Sequence, residues 1–509
     1  MLQHLEISLS NTHLLVAGVA LVLAYNIFST IAFNAKLRKL GARAPIRKSY
    51  FPFGLDILYE LISLSIKDQN YELWINMFDK WCPGQYTIEA GVGQRAILTA
   101  DPENIKAILA TQFKEYGKGE HFHKDWYSFL GNGIFNVDGQ LWHNSRQLIR
   151  PQFVKDRLSD LYIFEEHVQV LMKNLSGAPE VNMLDMFFKY TLDAATHFLL
   201  GTSVNSQRHA QTAFADAFTN VQRVQTYIAR MGPLNWALPR NLMGFYESLK
   251  ILDAFVNVYI EKALALSPKE LEEKTNHDEG YTFLHSIASY TRDRRELRDQ
   301  LISILLAGRD TTACTLTWTL YELSLQPEIV AKLRQEIIDQ VGLERAPTYQ
   351  DLKDMKYLQN IMNETLRLYP IVPYNVRVSL QDTTLPMGGG HDGMQPIAVP
   401  KGTPIAYSTL VMQRREDLYP SEVSGFPPIT KFVPERWYSW TPKNWQYVPF
   451  NGGPRICIGQ QFALTEMGYT LVRILQRFGT IENKMGGVPA GIHADIVLQP
   501  SKTVKIAFK

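Results

Sequence analysis

Phe450-Asn-Gly-Gly-Pro-Arg-Ile-Cys-Ile-Gly459 is a glycine-rich loop with one cysteine, and an amphipathic pattern over Gln460–Phe478 follows it directly. The pattern predicts a helix whose first turn lies beside Cys457. A cysteine at a helix N-terminus has its thiolate favoured by the dipole and by free backbone N–H groups. Those N–H groups can also hydrogen-bond the sulfur and tune a metal bound to it. Gly453 and Gly459 lack a Cβ and would let the backbone approach a flat cofactor closely. Arg455 precedes the cysteine by two positions and can pair with an acidic edge of that cofactor. The chain has three cysteines, Cys82, Cys314 and Cys457, too widely spaced for a disulfide framework or a CxxC zinc site. A single thiolate with no neighbouring His or Cys cannot hold zinc alone, but it can be the one protein ligand of a haem iron. Cys82 and Cys314 read as buried thiols.

The rest of the body supplies the setting for this loop. The chain has 509 residues, 46% apolar and 20% charged, which excludes a disordered acidic or low-complexity protein. Lys+Arg number 52 against 50 Asp+Glu, a net charge of +2, so the totals show no basic excess for nucleic acid. Helical periodicity dominates from about 140 to 370. Arg294–Leu325 predicts one long helix of roughly 45–50 Å at about 1.5 Å per residue, enough to cross the body. Pro327 starts the next helix and Pro370 ends a later one. Residues 84–100 predict two short strands around Gly91-Val-Gly93, and residues 371–410 carry further β-like runs. The densely charged 266–300 segment reads as a solvated loop and helix start. The expected fold is mainly α with small β-sheets, one domain over 55–509.

The N-terminus predicts a membrane anchor over 1–35. No Asp, Glu, Lys or Arg occurs between Glu6 and Lys36, and the span is expected at about 14–33. Six basic residues follow: Lys36, Arg38, Lys39, Arg43, Arg47 and Lys48. By the positive-inside rule they keep the body in the cytosol, and a cleavable signal peptide would show the reverse order. Residues 36–54 read as a stiff basic Pro/Gly hinge.

Four further motifs join the cysteine loop. They are Trp142-x-x-x-Arg146, Ala307-Gly-Arg-Asp310-Thr311-Thr312, Glu364-Thr-Leu-Arg367 and Pro434-Glu-Arg436-Trp437. Together, and in this order, they resemble the cytochrome P450 family of haem-thiolate monooxygenases over about residues 45–509. The resemblance implies haem b held by Cys457 as the iron's axial ligand. It also implies cofactor contacts from Phe450, Arg455, Trp142, Arg146 and Arg377. Glu364 and Arg367 share a helix face, and Arg436 can join them in a structural charge network. Thr311 can hydrogen-bond the Ala307 carbonyl, and with Gly308 this is expected to open a groove in the helix. Asp310 and Thr311 are then the catalytic pair that delivers protons to bound oxygen. Thr312, Thr315, Thr317 and Thr319 read as packing residues.

The wording of Phe450–Glu466, Tyr407–Arg415 and Gly133–Phe153 resembles the fungal subfamily that hydroxylates n-alkanes and fatty acids at the chain end. The alternative is a tailoring oxidation in fungal secondary-metabolite biosynthesis. The extended Tyr419–Pro428, read as a surface loop, departs from the compact hydroxylases. An oxygen-independent isomerase and a non-catalytic haem or lipid binder are disfavoured by Asp310 and Thr311. Substrate-facing segments are expected in a loop around Tyr116–Asn136, at Ile304–Ala307 and Ile371–Val376, and in a terminal hairpin near Ile496–Val497. They suit an apolar small molecule, with His121, His123 and Lys124 as the basic candidates near it. Gly232–Pro239 is read as a loop that can touch membrane lipid. The chain has no flavin or iron–sulfur motif, so electrons must come from outside it, and the resemblance implies NADPH through a separate cytochrome P450 reductase, with cytochrome b5 as a second donor. Arg146, Arg150, Lys155 and Arg157 would face that partner. The implied location is the endoplasmic reticulum membrane, single-pass.

Overall fold

Arg294–Leu325 forms one unbroken helix of 32 residues, with Asp293 accepting from the Arg295 and Glu296 N–H groups at its start. Pro327 opens the next helix, Pro327–Gln340, as the sequence predicts. The computed structural model describes residues 2–91, 95–153, 161–209, 213–271, 282–420, 422–494 and 496–509.

The long helix joins two apolar clusters. Leu297, Leu301, Ile302 and Leu305 belong to one, with Phe218, Val221, Leu252 and Phe283. Leu316, Trp318, Leu320 and Leu323 belong to the other, with Leu358, Ile361, Leu471 and Leu475. Ala307–Thr312 lies between them, at the seam where neither cluster needs a large aliphatic side chain. A polar turn can be buried there without a cavity being left in either core.

The sheets are small. The largest orders its strands as Thr87–Ala90, Ala96–Thr99, Pro404–Ser408, Tyr374–Ser379 and Tyr116–Gly117. The first two pair antiparallel, as the Gly91-Val-Gly93 reading requires, although residues 92–94 lie outside the described part. Arg377 pairs in register with Ile405, which fixes the direction of its side chain. A terminal hairpin forms between Ile492–Ala494 and Leu498–Pro500. The body is thus mainly helical with small sheets.

The N-terminal helix runs from Leu2 to Leu40, and within it His13–Leu40 is long and apolar enough to cross a membrane, with its apolar window unburied. It continues past the expected end of the span and takes in Lys36, Arg38 and Lys39. Leu37 is already buried, and Lys36 pairs with Asp382 at 2.7 Å. The stretch that follows is stitched to the sheets. Ala42 donates to the Pro396 carbonyl, Arg47 donates through its backbone to Glu89, and Arg43 and Arg95 both pair with the buried Glu89 carboxylate.

Two expectations change. Tyr116–Asn136 is no simple loop, because Gly119–Leu130 forms a helix with Trp126, Phe129 and Leu130 buried. The surface-loop reading of Tyr419–Pro428 fails at Tyr419, which is buried, and at the carbonyls of Pro420, Pro427 and Pro428, which take hydrogen bonds from Arg436. Of the four basic residues expected to face a reductase, Lys155 and Arg157 lie outside the described residues. Arg150 is exposed.

Candidate active site

The cysteine loop is held by its own backbone. The Cys457 N–H donates to the Phe450 carbonyl at 2.9 Å, and the Ile456 N–H donates to Gly453 at 3.0 Å. The helix Gln460–Arg477 begins immediately afterwards, so its first turn faces the sulfur. The Gly459 N–H hydrogen-bonds Sγ and favours the thiolate, as does the nearby Arg146 guanidinium, whereas burial pushes the thiol's pKa up. Gly453 has φ +62, and an added Cβ would meet the Leu109 carbonyl oxygen at 1.9 Å. This glycine is therefore required by protein packed against protein. Gly459 meets the Phe153 ring only at ordinary contact distance.

Cys457 keeps accessible surface, and Lys118 is half-exposed. Yet burial is the largest cause shifting the proton affinity of both, upward for the thiol and well downward for the ammonium. Surface that is open on one side and walled by protein on the others describes an interior cleft. Cations gather on its wall. Arg377 and Arg455 both depress Lys118, and burial with Arg377 brings Arg455 down to about 10. Asp138 is the carboxylate that opposes them. It pairs with Arg455 at 2.7 Å and accepts from the Lys118 and Gly119 N–H groups. Trp142 is sandwiched between Arg455 and Arg146, at 4.8 and 5.9 Å from its ring. Arg455 Nε is buried without a hydrogen-bond partner. One carboxylate against four cations, with a guanidinium N–H unspent, fits a planar cofactor that carries acidic groups along one edge. Arg146 Nη1 donates to the Ile456 carbonyl at 2.9 Å, on the sulfur side. Arg377 donates to Asn375 and to the Val376 carbonyl and is buried.

On the long helix, Thr311 Oγ1 donates to the Ala307 carbonyl at 2.7 Å, as expected. Thr315, Thr317 and Thr319 bond back to their own turns in the same way. The expected groove is not a break, since the helix stays continuous through this turn. An added Cβ on Gly308 would approach nothing closer than Ala195 Cβ at 3.6 Å, so the turn is uncrowded. Asp310 is buried. Its Oδ2 accepts from Gln222 on the helix Ala213–Met231 at 2.5 Å, while Oδ1 stands 3.6 Å from Arg309 Nε. That separation is too long for a hydrogen bond, and both atoms lack a partner. Burial raises the Asp310 pKa, while Arg309 and Gln222 work against it. Arg309 itself reaches Thr219 and lies over the Phe188 and Phe218 rings. Asp310 is therefore engaged with a polar patch on the neighbouring helix.

The charge network expected of Glu364, Arg367 and Arg436 is present, and the structure leaves all three fully buried. Glu364 binds Arg367 through two hydrogen bonds of 2.8 Å and lies 3.5 Å from Arg436. The two arginines respond oppositely: Glu364 outweighs burial to raise Arg367, while burial and Arg367 lower Arg436. The carboxylate belongs mainly to Arg367, and carbonyls of the 420–428 segment take most of Arg436's donors.

Lys118, Asp138, Arg309, Gln222 and Glu466 carry no assigned role in the sequence reading. Glu466 is fully enclosed and bonds Thr312, and burial pushes its pKa up from 4.5 to about 8. A carboxyl that holds its proton more tightly when folded stabilises the fold at low pH. That stability falls as pH rises from 4.5 to about 8, by about 1.4 kcal/mol for each pH unit crossed. Glu466→Gln is expected to flatten this decline and to gain a few kcal/mol, at order of magnitude, above about pH 8. Unfolding followed from about pH 5 to about pH 9 tests it, and a decline that persists in the variant would assign the titration to another group.

An outer groove of about 820 Å³ is lined by His121, Lys124, Asp125, Trp236, Leu238 and Leu242, among others. None of the cleft residues above belongs to it. His123 is used on the Asn136 carbonyl instead.

Comparison with known proteins agrees with this geometry. The family model described as cytochrome P450 matches residues 54–508. The chain is 45% identical to a cytochrome P450 monooxygenase, pvhE, of Talaromyces variabilis, over 96% of this chain and 94% of that protein. It is 44% identical to cytochrome P450 52A1 of Candida tropicalis, over 77% and 74% of the two chains. It is 40% identical to a cytochrome P450 monooxygenase, g430, of Fusarium sp, over 88% and 81%. With a match across the whole body and relatives alike along most of both chains, this protein belongs to the cytochrome P450 family of monooxygenases.

Proposed function

We propose that Cys457 Sγ is the protein ligand of haem b in this cleft, and that the enzyme hydroxylates the chain end of a long-chain fatty acid or n-alkane. The observation that carries the cofactor assignment is the cleft itself. Arg146 and the Gly459 N–H act on the one sulfur, while Lys118 and Arg455 share the Asp138 carboxylate and both feel Arg377. The bound haem supplies oxygen activation and transfer of one oxygen atom into a C–H bond. The chain's own groups do the rest. Arg455, Arg377 and Lys118 hold the acidic edge, and the Trp142 ring keeps Arg455 in place. The Gly459 N–H withdraws charge from the sulfur. Burial raises the proton affinity of Asp310, whose Oδ1 stands unpartnered and open to a proton. Thr311 donates to Ala307, which leaves its oxygen lone pairs free to accept from water.

An apolar chain suits the expected substrate walls, because Ile304–Ala307, Ile371–Val376 and Ile496–Val497 contain no charged residue. The departure at Tyr419–Pro428 weighs less than its sequence suggests, because that segment serves the Arg436 network. The enzyme uses haem, O2 and electrons from a reductase. NADPH–cytochrome P450 reductase, with cytochrome b5 as a second donor, is the proposed source. The N-terminal helix and the basic residues after it favour an endoplasmic reticulum anchor with a cytosolic body. Trp236 and Leu242, 78% and 89% exposed, would rest against the same membrane.

Titration of the ferric protein with fatty acids and alkanes, against bulky polyketides and terpenes, tests the substrate. A saturable low- to high-spin shift of the Soret band with straight chains supports the proposal. A shift with bulky scaffolds alone assigns the enzyme to secondary-metabolite tailoring. Thr311→Ala is expected to leave that shift intact while slowing hydroxylation about a hundredfold or more and diverting NADPH from product. Unchanged coupling of NADPH to product would sink the role given to Thr311.

A further inference from the structure

We propose that Glu166, His167 and His197 form a zinc-binding site that ties the helix Tyr162–Leu175 to the helix Met183–Leu200. Among the described residues they are the one group of three His, Cys, Asp or Glu side chains whose ligand atoms all lie within 4.8 Å of one another. The two imidazoles come from different helices, and Glu166 is the sequence neighbour of His167. His167 Nε2 is 3.1 Å from His197 Nδ1, and His197 Nδ1 is 3.7 Å from Glu166 Oε2. Tetrahedral zinc, with bonds of about 2.0–2.1 Å to nitrogen, sets its ligand atoms roughly 3.3–3.4 Å apart. The two separations that His197 Nδ1 makes bracket that spacing and all three atoms lie within 4.8 Å of one another, so a metal needs only side-chain adjustment to enter.

The donor chemistry suits the same ion. Two imidazoles and a carboxylate favour zinc over calcium or magnesium, which take oxygen ligands. His167 is buried and its Nε2 points at His197 Nδ1, so the two imidazole nitrogens converge on one point. Asp193 lies one turn before His197 on the same helix and is buried. Its carboxylate accepts from the Ser206 and Gln207 N–H groups and from Ser206 Oγ, which fixes it in place. Its field acts on His167 with the sign that favours a cation. Glu166 is exposed and His197 is half-buried, so the fourth position opens to water and the ion has an entry path. None of these residues belongs to the cysteine cleft, so the site and the haem chemistry can be read separately.

The test uses the full-length holoenzyme, free of any affinity tag and washed with chelator, titrated with zinc chloride by calorimetry. One saturable equivalent is expected, together with a zinc-dependent rise in Tm. His197→Gln and Glu166→Gln should each weaken binding about tenfold or more. Both variants should keep the Soret band of the ferrous carbon monoxide complex, which shows that the body is folded. Zinc-edge X-ray absorption should show imidazole and oxygen neighbours. Sulfur in the first shell would place the metal on a cysteine and overturn the proposal. Absence of saturable binding would do the same, as would equal affinity in the His197→Gln/Glu166→Gln double variant.

Discussion

Glu364→Ala is expected to yield a protein that does not retain haem and unfolds at or near ambient temperature. Glu364 is wholly buried and serves four partners at once. It receives two bonds from Arg367, one from the Val433 N–H at 3.0 Å and one from the Trp437 indole at 3.0 Å, and it faces Arg436. Removing one member of a buried ion pair costs about 3–5 kcal/mol, because the remaining charge is left uncompensated. Here two guanidiniums are stranded. The Val433 and Trp437 donors add about 1–3 kcal/mol each when they lose their acceptor. A typical domain has only about 5–15 kcal/mol to lose. Glu364→Gln keeps the shape and one acceptor oxygen, and should fall between wild type and alanine. Thermal unfolding and the ferrous carbon monoxide spectrum of the three proteins check this ranking. An alanine variant melting within a few degrees of wild type would show that the surrounding carbonyls alone satisfy both arginines.

The same network shows what a sequence makes legible and what it leaves out. The pairing of Glu364 with Arg367 follows from helical spacing, and the long helix follows from its apolar pattern bounded by Asp293 and Pro327. The cysteine loop is legible because glycine, arginine and cysteine at fixed offsets leave few backbone solutions. Partners contributed by distant segments are not legible. Nothing local says that the carbonyls of Pro420 and Pro427 complete Arg436, or that Asp138 ties Lys118 to Arg455 across more than three hundred residues. Periodicity gives the face of a helix and not what that face meets. Arg309 and Asp310 are plain in the sequence, but that they turn toward Thr219 and Gln222 depends on how two helices cross. Glu466 looks like an ordinary helical glutamate until its enclosure and its bond to Thr312 are seen. Gly453 is plain in the sequence, but the Leu109 carbonyl that demands a glycine there lies more than three hundred residues away in sequence.

Cys457→Ser is expected to abolish hydroxylation while leaving the fold intact, the opposite pattern to Glu364→Ala. The loop does not depend on the sulfur. Its geometry is set by backbone bonds from Cys457 to Phe450 and from Ile456 to Gly453, which serine keeps. A serine oxygen can also accept from the Gly459 N–H, so no buried donor is orphaned. What is lost is the thiolate. Burial pushes the Cys457 thiol up, against the pull of the Gly459 N–H and Arg146. A bound metal cation would add to the pull of those two groups and favour the deprotonated sulfur. An alcohol is a far weaker acid and donates far less charge to iron, so the electron push that favours O–O cleavage disappears. The variant should melt within a few degrees of wild type. Its carbon monoxide complex should lose the red-shifted Soret band of thiolate ligation, and its turnover should fall to background. Wild-type turnover in Cys457→Ser would mean that another residue ligates the iron. Loss of folding would mean that the sulfur holds the loop together, a structural part the backbone bonds do not require.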